Sequence, residues 1–316
     1  MSYKPTIVSL FSGCGGFDLG FQMAGYKTIW AIDNYGPAVE TFNLNFPGEI
    51  CVRRDIRKIE LSEIPDSDLI IGGFPCQSFS SAGRRRGFND PRGDLFKEYA
   101  RILKGKRPKA FVAENVSNLL RIHKGEALKI IVKEFEDCGY VVKTCLYDFQ
   151  EFGVPQRRKR IIFVGIRNDL NYTYAFPKPP GRTVTAGEAL ADIPPDCPNN
   201  EKRTSPCKLN YIKLLKPGQR INQVEGMRDK FLAWCFKLEP GKVSPTIMAD
   251  ESGAYWAEDR MLTNRERARL QSFPDSFVFC GSYHGVSRQI GNAVPPLGVV
   301  EVARSLLPLF RKSRKG

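Results

Sequence analysis

Thr6-Ile7-Val8-Ser9-Leu10-Phe11-Ser12-Gly13-Cys14-Gly15-Gly16-Phe17 is an apolar, β-branched run that breaks into a glycine-rich turn and then opens an amphipathic stretch. The run reads as a strand, and Phe17, Phe21 and Ala24 recur beyond it at helical spacing, so the unit is strand, tight turn, helix. Such a turn lets a nucleotide-like ligand approach the backbone at a helix N-terminus. It departs from the dinucleotide fingerprint, because Asp18 stands three after Gly15 and no GxGxxG occurs, which counts against a nicotinamide enzyme.

The same rhythm continues down the first half. Strands are expected at Thr28 to Ile32, Leu69 to Ile71, Ala110 to Ala113, Tyr140 to Leu146 and Arg160 to Gly165, with helical spacing between them, as in Leu95, Tyr99, Ile102 and Leu103. Alternating strands and helices of this kind imply an α/β fold, a mostly parallel sheet with helices on both faces. After about Phe176 the texture changes, as Pro177, Pro179, Pro180, Pro194, Pro195, Pro198, Pro206 and Pro217 punctuate a polar, weakly periodic segment. This is expected to be a small loop-rich domain. Regular structure returns at Thr263-Asn264-Arg265-Glu266, a capping-box pattern before a short helix, and a last helix is expected from Pro296 to Phe310. The expected division is a main domain of residues 1–170, completed by 276–316, and a second domain with its hinge over 171–275.

The 316 residues carry 48 Lys+Arg against 34 Asp+Glu, a net charge of +14. That balance favours a polyanionic partner such as nucleic acid, although solubility alone also accounts for a basic surface. No apolar run approaches the ~18 residues of a membrane span, and no signal peptide is read at the N-terminus, so a cytoplasmic protein without membrane contact is expected. Nine cysteines lie scattered without a CxxC pair and only two histidines occur, so no metal site is expected. In a reducing compartment most of these cysteines are small buried hydrophobes.

One cysteine stands in different company. Gly72-Gly73-Phe74-Pro75-Cys76-Gln77-Ser78-Phe79-Ser80 follows the strand around Ile70, at a carboxyl end of the sheet, where α/β proteins bind ligands. Pro75 prevents a helix from starting before Cys76, and a loop position lets the sulfur face a substrate. Asp33, at the end of the second strand, can accept hydrogen bonds from ribose hydroxyls. Asp55 is suited to an adenine amino group, with Ile56 packing on the ring. Glu114 closes another strand at the same edge. In Gln156-Arg157-Arg158-Lys159-Arg160, leading into a strand, Arg158 and Arg160 should share one face and Arg157 and Lys159 the other.

Taken in order, these segments resemble the cytosine-5 DNA methyltransferase family over nearly the whole chain. The resemblance rests on Phe11 to Gly16, Asp33, Asp55, Pro75-Cys76, Arg92-Gly93-Asp94-Leu95-Phe96, Glu114-Asn115-Val116, Gln156 to Arg160, Arg265 to Leu270, and Gln289-Ile290-Gly291-Asn292-Ala293-Val294-Pro295. Two positions depart from the pattern: Asp33 stands where Glu is usual, and Phe74 where Pro is frequent. Asp33 is one methylene shorter, and Phe74 keeps the backbone carbonyl that the family uses against the base.

The resemblance implies a Rossmann-like domain with a target-recognition domain. S-adenosylmethionine would lie among Phe11, Gly13, Gly15, Asp33, Asp55, Ile56, Leu95 and Asn292. Cys76 would add to carbon 6 of a cytosine flipped out of double-stranded DNA, Glu114 would engage ring nitrogen 3, Arg158 would hold the carbonyl at position 2, and Arg160 would lower the thiol pKa. A few kcal/mol is needed to extrude the base. Phe74, Pro75, Gln77 and Ser80 would border it, Arg84, Arg85 and Arg86 would meet phosphates from a closing loop, and Arg157 and Lys159 would face the backbone. Thr246, in Ser244-Pro245-Thr246-Ile247, resembles the Thr-plus-aliphatic element of family recognition domains. A prokaryotic restriction-modification enzyme is implied, monomeric, sharing its site with a cognate restriction endonuclease without touching it. Two rivals keep the fold: a transfer-RNA cytosine-5 methyltransferase, against which the absence of a Cys-Phe-Thr signature counts, and a non-catalytic DNA-binding protein.

Overall fold

A computed structural model of the chain describes residues 3–48, 50–75, 95–227 and 235–312. Among them, seven strands form the main sheet: β1 (Thr6–Leu10), β2 (Lys27–Asp33), β3 (Cys51–Arg53), β4 (Leu69–Gly72), β5 (Ala110–Val116), β6 (Tyr140–Asp148) and β7 (Lys159–Arg167), in the order β3-β2-β1-β4-β5-β7-β6. The pairs from β3 to β5 are parallel, and β7 runs antiparallel to both β5 and β6. The expected parallel α/β sheet is thus present, with two antiparallel pairings at one side.

Strand periodicity sorts the core into two layers. Val8, Ile70, Phe111 and Ala113 face one cluster, completed by Tyr99 and Ile102 of α3 (Leu95–Lys106) and Ile131 and Phe135 of α4 (Glu126–Asp137). Their strand neighbours Ile7, Leu69, Ile71, Ala110 and Val112 face the opposite cluster, with Phe17 and Phe21 of α1 (Gly16–Met23) and Val299 and Val302 of α9 (Pro296–Lys312). Continuous rather than alternating apolar strands follow directly, since both faces are buried. The apolar stretch Tyr283–Arg311 is long enough to cross a membrane by composition, yet it is mostly buried and consists of α8 (Tyr283–Asn292) and α9 separated at Ala293. It is a core element of the sheet domain.

The proline-punctuated segment forms short elements only: α5 (Ala186–Leu190), α6 (Pro206–Ile212) and a two-stranded parallel pair, β8 (Phe236–Lys237) with β9 (Gly253–Ala254). Two small clusters belong to it alone, Ile212 with Ala254 and Met261, and Leu215 with Ile221 and Cys235. A third is shared. Leu190, Phe236, Leu238, Ile247 and Leu262 pack with Val39 and Phe42 of α2 (Gly36–Asn45), Leu270 of α7 (Asn264–Leu270) and Ile290 of α8. The capping box at α7 is formed, with Thr263 and Glu266 each accepting from the other's amide.

One buried acid sits under the glycine-rich turn. Asp18 of α1 is fully buried and accepts from the hydroxyls of Ser9 and Thr28, both at 2.9 Å. Burial pushes its carboxyl from 3.8 up to about 6, outweighing the two hydrogen bonds that pull it down. Such a group destabilises the fold when ionised: the penalty is absent below about pH 4, grows between pH 4 and 6, and is full above pH 6. Asp18→Asn should therefore gain on the wild type as pH rises, by several degrees of melting temperature, roughly, between pH 4 and 8. A difference between variant and wild type that stays constant across that range would refute this.

Candidate active site

The strand order reverses between the parallel neighbours β1 and β4, the connection from β1 leading outward to β2 and that from β4 outward to β5, and a cavity of ≈ 610 Å³ opens at the carboxyl ends of these strands. This is the switch-point crevice where open α/β sheets bind ligands. The turn after β1 supplies its floor. Gly15 is left-handed (φ 91°) and caps α1, and a Cβ there would lie 2.5 Å from Phe46, so the position requires glycine on both counts. Gly13, also at positive φ, donates its amide to Asp33 Oδ2 at 2.9 Å, while Tyr35 donates to Oδ1 at 2.8 Å. Asp33 is thereby fixed at the cavity wall, its carboxyl raised by burial and partly restored by those amides.

Asp55 and Ile56 line the next wall. Asp55 accepts from Arg57 Nε at 2.9 Å, an exposed pair that lowers its carboxyl, while Ile56 is buried. Phe11, Leu95 and Asn292 also line the cavity, whereas Gly15, the cap of α1, is not among its lining residues. Tyr35 and Arg288 face the same space, the guanidinium lying 4.8 Å from the ring centroid. The side chains of Cys14 and Cys51 are near at hand but inert, since burial pushes both thiols up to about 12.

At the other end of the cavity lies a charged pair. Because β7 is antiparallel to β5, its beginning reaches the edge where β5 ends; Glu114 pairs in register with Ile162, and Arg160 with Val116. Glu114 and Arg160 are therefore diagonal neighbours on one face. Arg160 Nε lies 2.7 Å from Glu114 Oε1, with side chains 14% and 12% exposed. Phe74 and Pro75 border the cavity beside them, and a Cβ added at Gly73 would lie 3.1 Å from Glu114 Oε2. The segment leading to Cys76 thus runs against the carboxylate. Cys76 itself, with Gln77, Ser80, Arg84, Arg85 and Arg86, lies outside the described residues.

Arg158 and Arg160 do share a face, as alternation requires, with Arg157 and Lys159 exposed opposite. Their partners differ. Arg158 is 3% exposed and gives its guanidinium to three backbone carbonyls, Ile247 at 3.1 Å, Gly291 at 3.1 Å and Ala293 at 3.0 Å. Burial, reinforced by Arg160, pulls its pKa far down. Arg160, not Arg158, touches Glu114. Thr246 donates its hydroxyl to the carbonyl of Arg157, anchoring the Ser244–Ile247 segment beside β7.

The model of the C-5 cytosine-specific DNA methylases matches residues 5–307. The chain belongs to that family. A type II methyltransferase of Neisseria gonorrhoeae, M.NgoFVII, is 44% identical over 98% of this chain and 88% of its own length. M.MthTI of Methanothermobacter thermautotrophicus is 37% identical, with 98% of each chain covered. Among solved structures, a putative DNA modification methyltransferase encoded within an E. coli prophage superposes with a TM-score of 0.80 at 23% identity, covering 98% of this chain and 100% of that one. The S. pombe Dnmt2 methyltransferase gives 0.66 at 20% identity over 97% and 99%, a likeness of fold.

Two features of this methylase escaped the sequence reading. Asn115 is buried and donates Nδ2 to the Phe74 carbonyl at 3.0 Å, while its Oδ1 accepts from Val116. That contact fixes the backbone immediately before Cys76. The arginines of Arg265 to Leu270 are the second: Arg265 donates to the carbonyls of Pro198, Pro274 and Phe277, and Arg267 to that of Met248. They fasten α7 to irregular segments on both sides of it in the sequence, at Pro198 and Met248 before it and at Pro274 and Phe277 after it. No signal in local spacing separates such clamps from a basic surface, because every acceptor lies in a distant or irregular segment.

Proposed function

We propose that this methylase transfers a methyl group from S-adenosylmethionine to carbon 5 of a cytosine flipped out of a specific duplex DNA site, as the modification half of a restriction-modification system. The carrying observation is the Glu114–Arg160 pair at the mouth of a cavity that ends at Gly73 to Pro75. The cavity suits the cofactor on its own terms, with a glycine turn at a helix N-terminus, a walled carboxylate at Asp33 for ribose hydroxyls, and Asp55 with Ile56 for an adenine. When bound, the cofactor supplies an electrophilic methyl group on a sulfonium centre.

The protein's own residues supply the rest. Cys76 as thiolate adds to carbon 6, forming the sulfur–carbon bond and pushing electron density toward the ring. Glu114 at ring nitrogen 3 holds the proton that this density calls for. Arg160, already on the carboxylate, donates to the carbonyl at position 2 and keeps Glu114 aimed; we assign this contact to Arg160 because the Arg158 donors are committed elsewhere. Carbon 5 takes the methyl group, then loses its proton to a base, and the returning electron pair expels Cys76. Asn115 holds the Phe74 carbonyl at the base.

The large domain of 1–170 with 276–316 holds this chemistry, and 171–275 reads the DNA, with Thr246, Arg157 and Lys159 along the strand and Arg84 to Arg86 on phosphates. The enzyme works as a monomer in the cytoplasm, needs no metal, and shares its site with an endonuclease it does not touch. Incubation of wild type and Cys76→Ala with labelled S-adenosylmethionine and duplex DNA or transfer RNA tests the reading. Label should enter duplex DNA with wild type alone, and the variant should keep salt-dependent DNA binding. Label in RNA only, or an unimpaired variant, overturns it.

A further inference from the structure

We infer that Arg158 is a positioning residue that couples cofactor binding to DNA binding, by holding the recognition segment at Ile247 and the cofactor segment at Gly291 and Ala293 on one buried guanidinium. The inference rests on the function proposed above, and it takes Arg158 out of contact with the base.

The geometry is a closed set of clamps. Gln156, two residues before Arg158 and fully buried, accepts the Ile247 amide at 3.0 Å through Oε1 and donates Nε2 to the Leu270 carbonyl at 2.8 Å and to Gln271 Oε1 at 2.7 Å. Gln271, also fully buried, donates to the Ile290 carbonyl at 2.6 Å. Arg158 then takes the Ile247 carbonyl and, one and three residues beyond Ile290, those of Gly291 and Ala293. Both backbone groups of Ile247 are thus held from the lead-in of β7, and three carbonyls of 290–293 by the same network. Thr246 stands next to the first segment's clamp and Asn292, on the cavity wall, between the two carbonyls of the second.

Such a cation is a coupling element for a physical reason. Arg158 Nε has no acceptor among the described residues, so the three carbonyls are the hydrogen-bond acceptors of the buried charge, with Glu114 attracting it through space. Drawing either segment away alone leaves donors of a buried guanidinium unpaired, which is costly. The two segments therefore shift together, and a ligand that orders one lowers the cost of ordering the other. Arg160, two residues on along the same face, carries that order to Glu114.

The test measures linkage rather than rate. Affinity for duplex DNA that the wild type methylates is determined with and without S-adenosylhomocysteine, for wild type, Arg158→Met, Arg158→Lys and Arg267→Met. The last removes a carbonyl clamp of the same kind, from α7 to Met248 and Ser287, and leaves the carbonyls of Ile247, Gly291 and Ala293 held by Arg158. In wild type and Arg267→Met the cofactor product should tighten DNA binding by about tenfold, within the usual range of coupling. In Arg158→Met the factor should fall to within about twofold of unity, and in Arg158→Lys, which can satisfy fewer carbonyls, to an intermediate value. Full coupling in either Arg158 variant, no coupling in wild type, or equal loss in Arg267→Met overturns the inference. Failure of the wild type to methylate duplex DNA would instead overturn the proposed function, and Arg158→Lys keeps the test decisive should Arg158→Met not fold.

Discussion

Arg160→Met should reduce single-turnover methyl transfer by at least about a thousandfold while also lowering the melting temperature. The two losses have one origin. Arg160 and Glu114 are paired at 2.7 Å with little exposure on either side chain. Removing one partner of a buried pair leaves the other uncompensated, a cost of about 3–5 kcal/mol. The rate loss combines a missing donor at the base carbonyl with a carboxylate no longer aimed at ring nitrogen 3, each worth roughly one to three orders of magnitude. Glu114→Gln separates the effects. It keeps a side chain of the same size against Arg160, so its melting temperature should fall less, but it cannot hold the ring proton, and its rate should fall by about 10² to 10⁴. Single-turnover labelling with enzyme in excess, beside thermal melts, reads both. Arg160→Met within tenfold of wild type would remove the pair from the mechanism.

The second large effect is expected at a glycine rather than at a charged side chain. A Cβ added at Gly291 would lie 2.2 Å from both the carbonyl carbon and oxygen of Met248 and 2.3 Å from the Ala249 amide. These are backbone atoms, so no side-chain rotation relieves the clash; the segment at Met248 and Ala249 must lift off α8. Gly291→Ala should therefore cost at least about 1–3 kcal/mol of stability through overpacking. It should also weaken S-adenosylhomocysteine binding by about tenfold or more, because the Gly291 carbonyl is one of the three held by Arg158. Gly241→Ala, which would meet nothing within 4 Å, is the matched control and should change neither. Calorimetric titration of both proteins decides the matter, and equal affinities would show that the contact carries no binding energy.

Much of this fold was legible because the strands obey a period of two with both faces apolar, and helical stretches between them obey 3.6. Expected strand limits at β1 match the observed ones, and those at β2, β5 and β7 fall short by one to three residues at an end. Glu114 accordingly lies inside β5 rather than beyond it. That Gly13, Asp33, Asp55 and Ile56 gather at one cavity follows from the same rhythm: each ends a strand or lies within three residues beyond one, so its placement is local. The partition between Arg158 and Arg160 was not legible. Alternation puts them on one face, and what separates them is a carbonyl 89 positions away at Ile247. Likewise Asn115 reaches back 41 positions to Phe74. Contacts of that length are fixed by tertiary packing, which leaves no local period to read.

The third apolar cluster joins α2, α7 and α8 to Leu190, Phe236, Leu238 and Ile247. Its consequence is evolutionary. A segment that draws its core from its neighbour cannot be exchanged between relatives as a cassette, because a transplant cut at the ends of 171–275 would strip apolar side chains from both sides of the seam. Freedom to drift lies in the stretch around Ile212, Leu215 and Ile221, whose small clusters are its own. Under the function proposed above, new target preferences would be acquired there, while the Ser244–Ile247 segment stays bonded to Arg157 and Arg158.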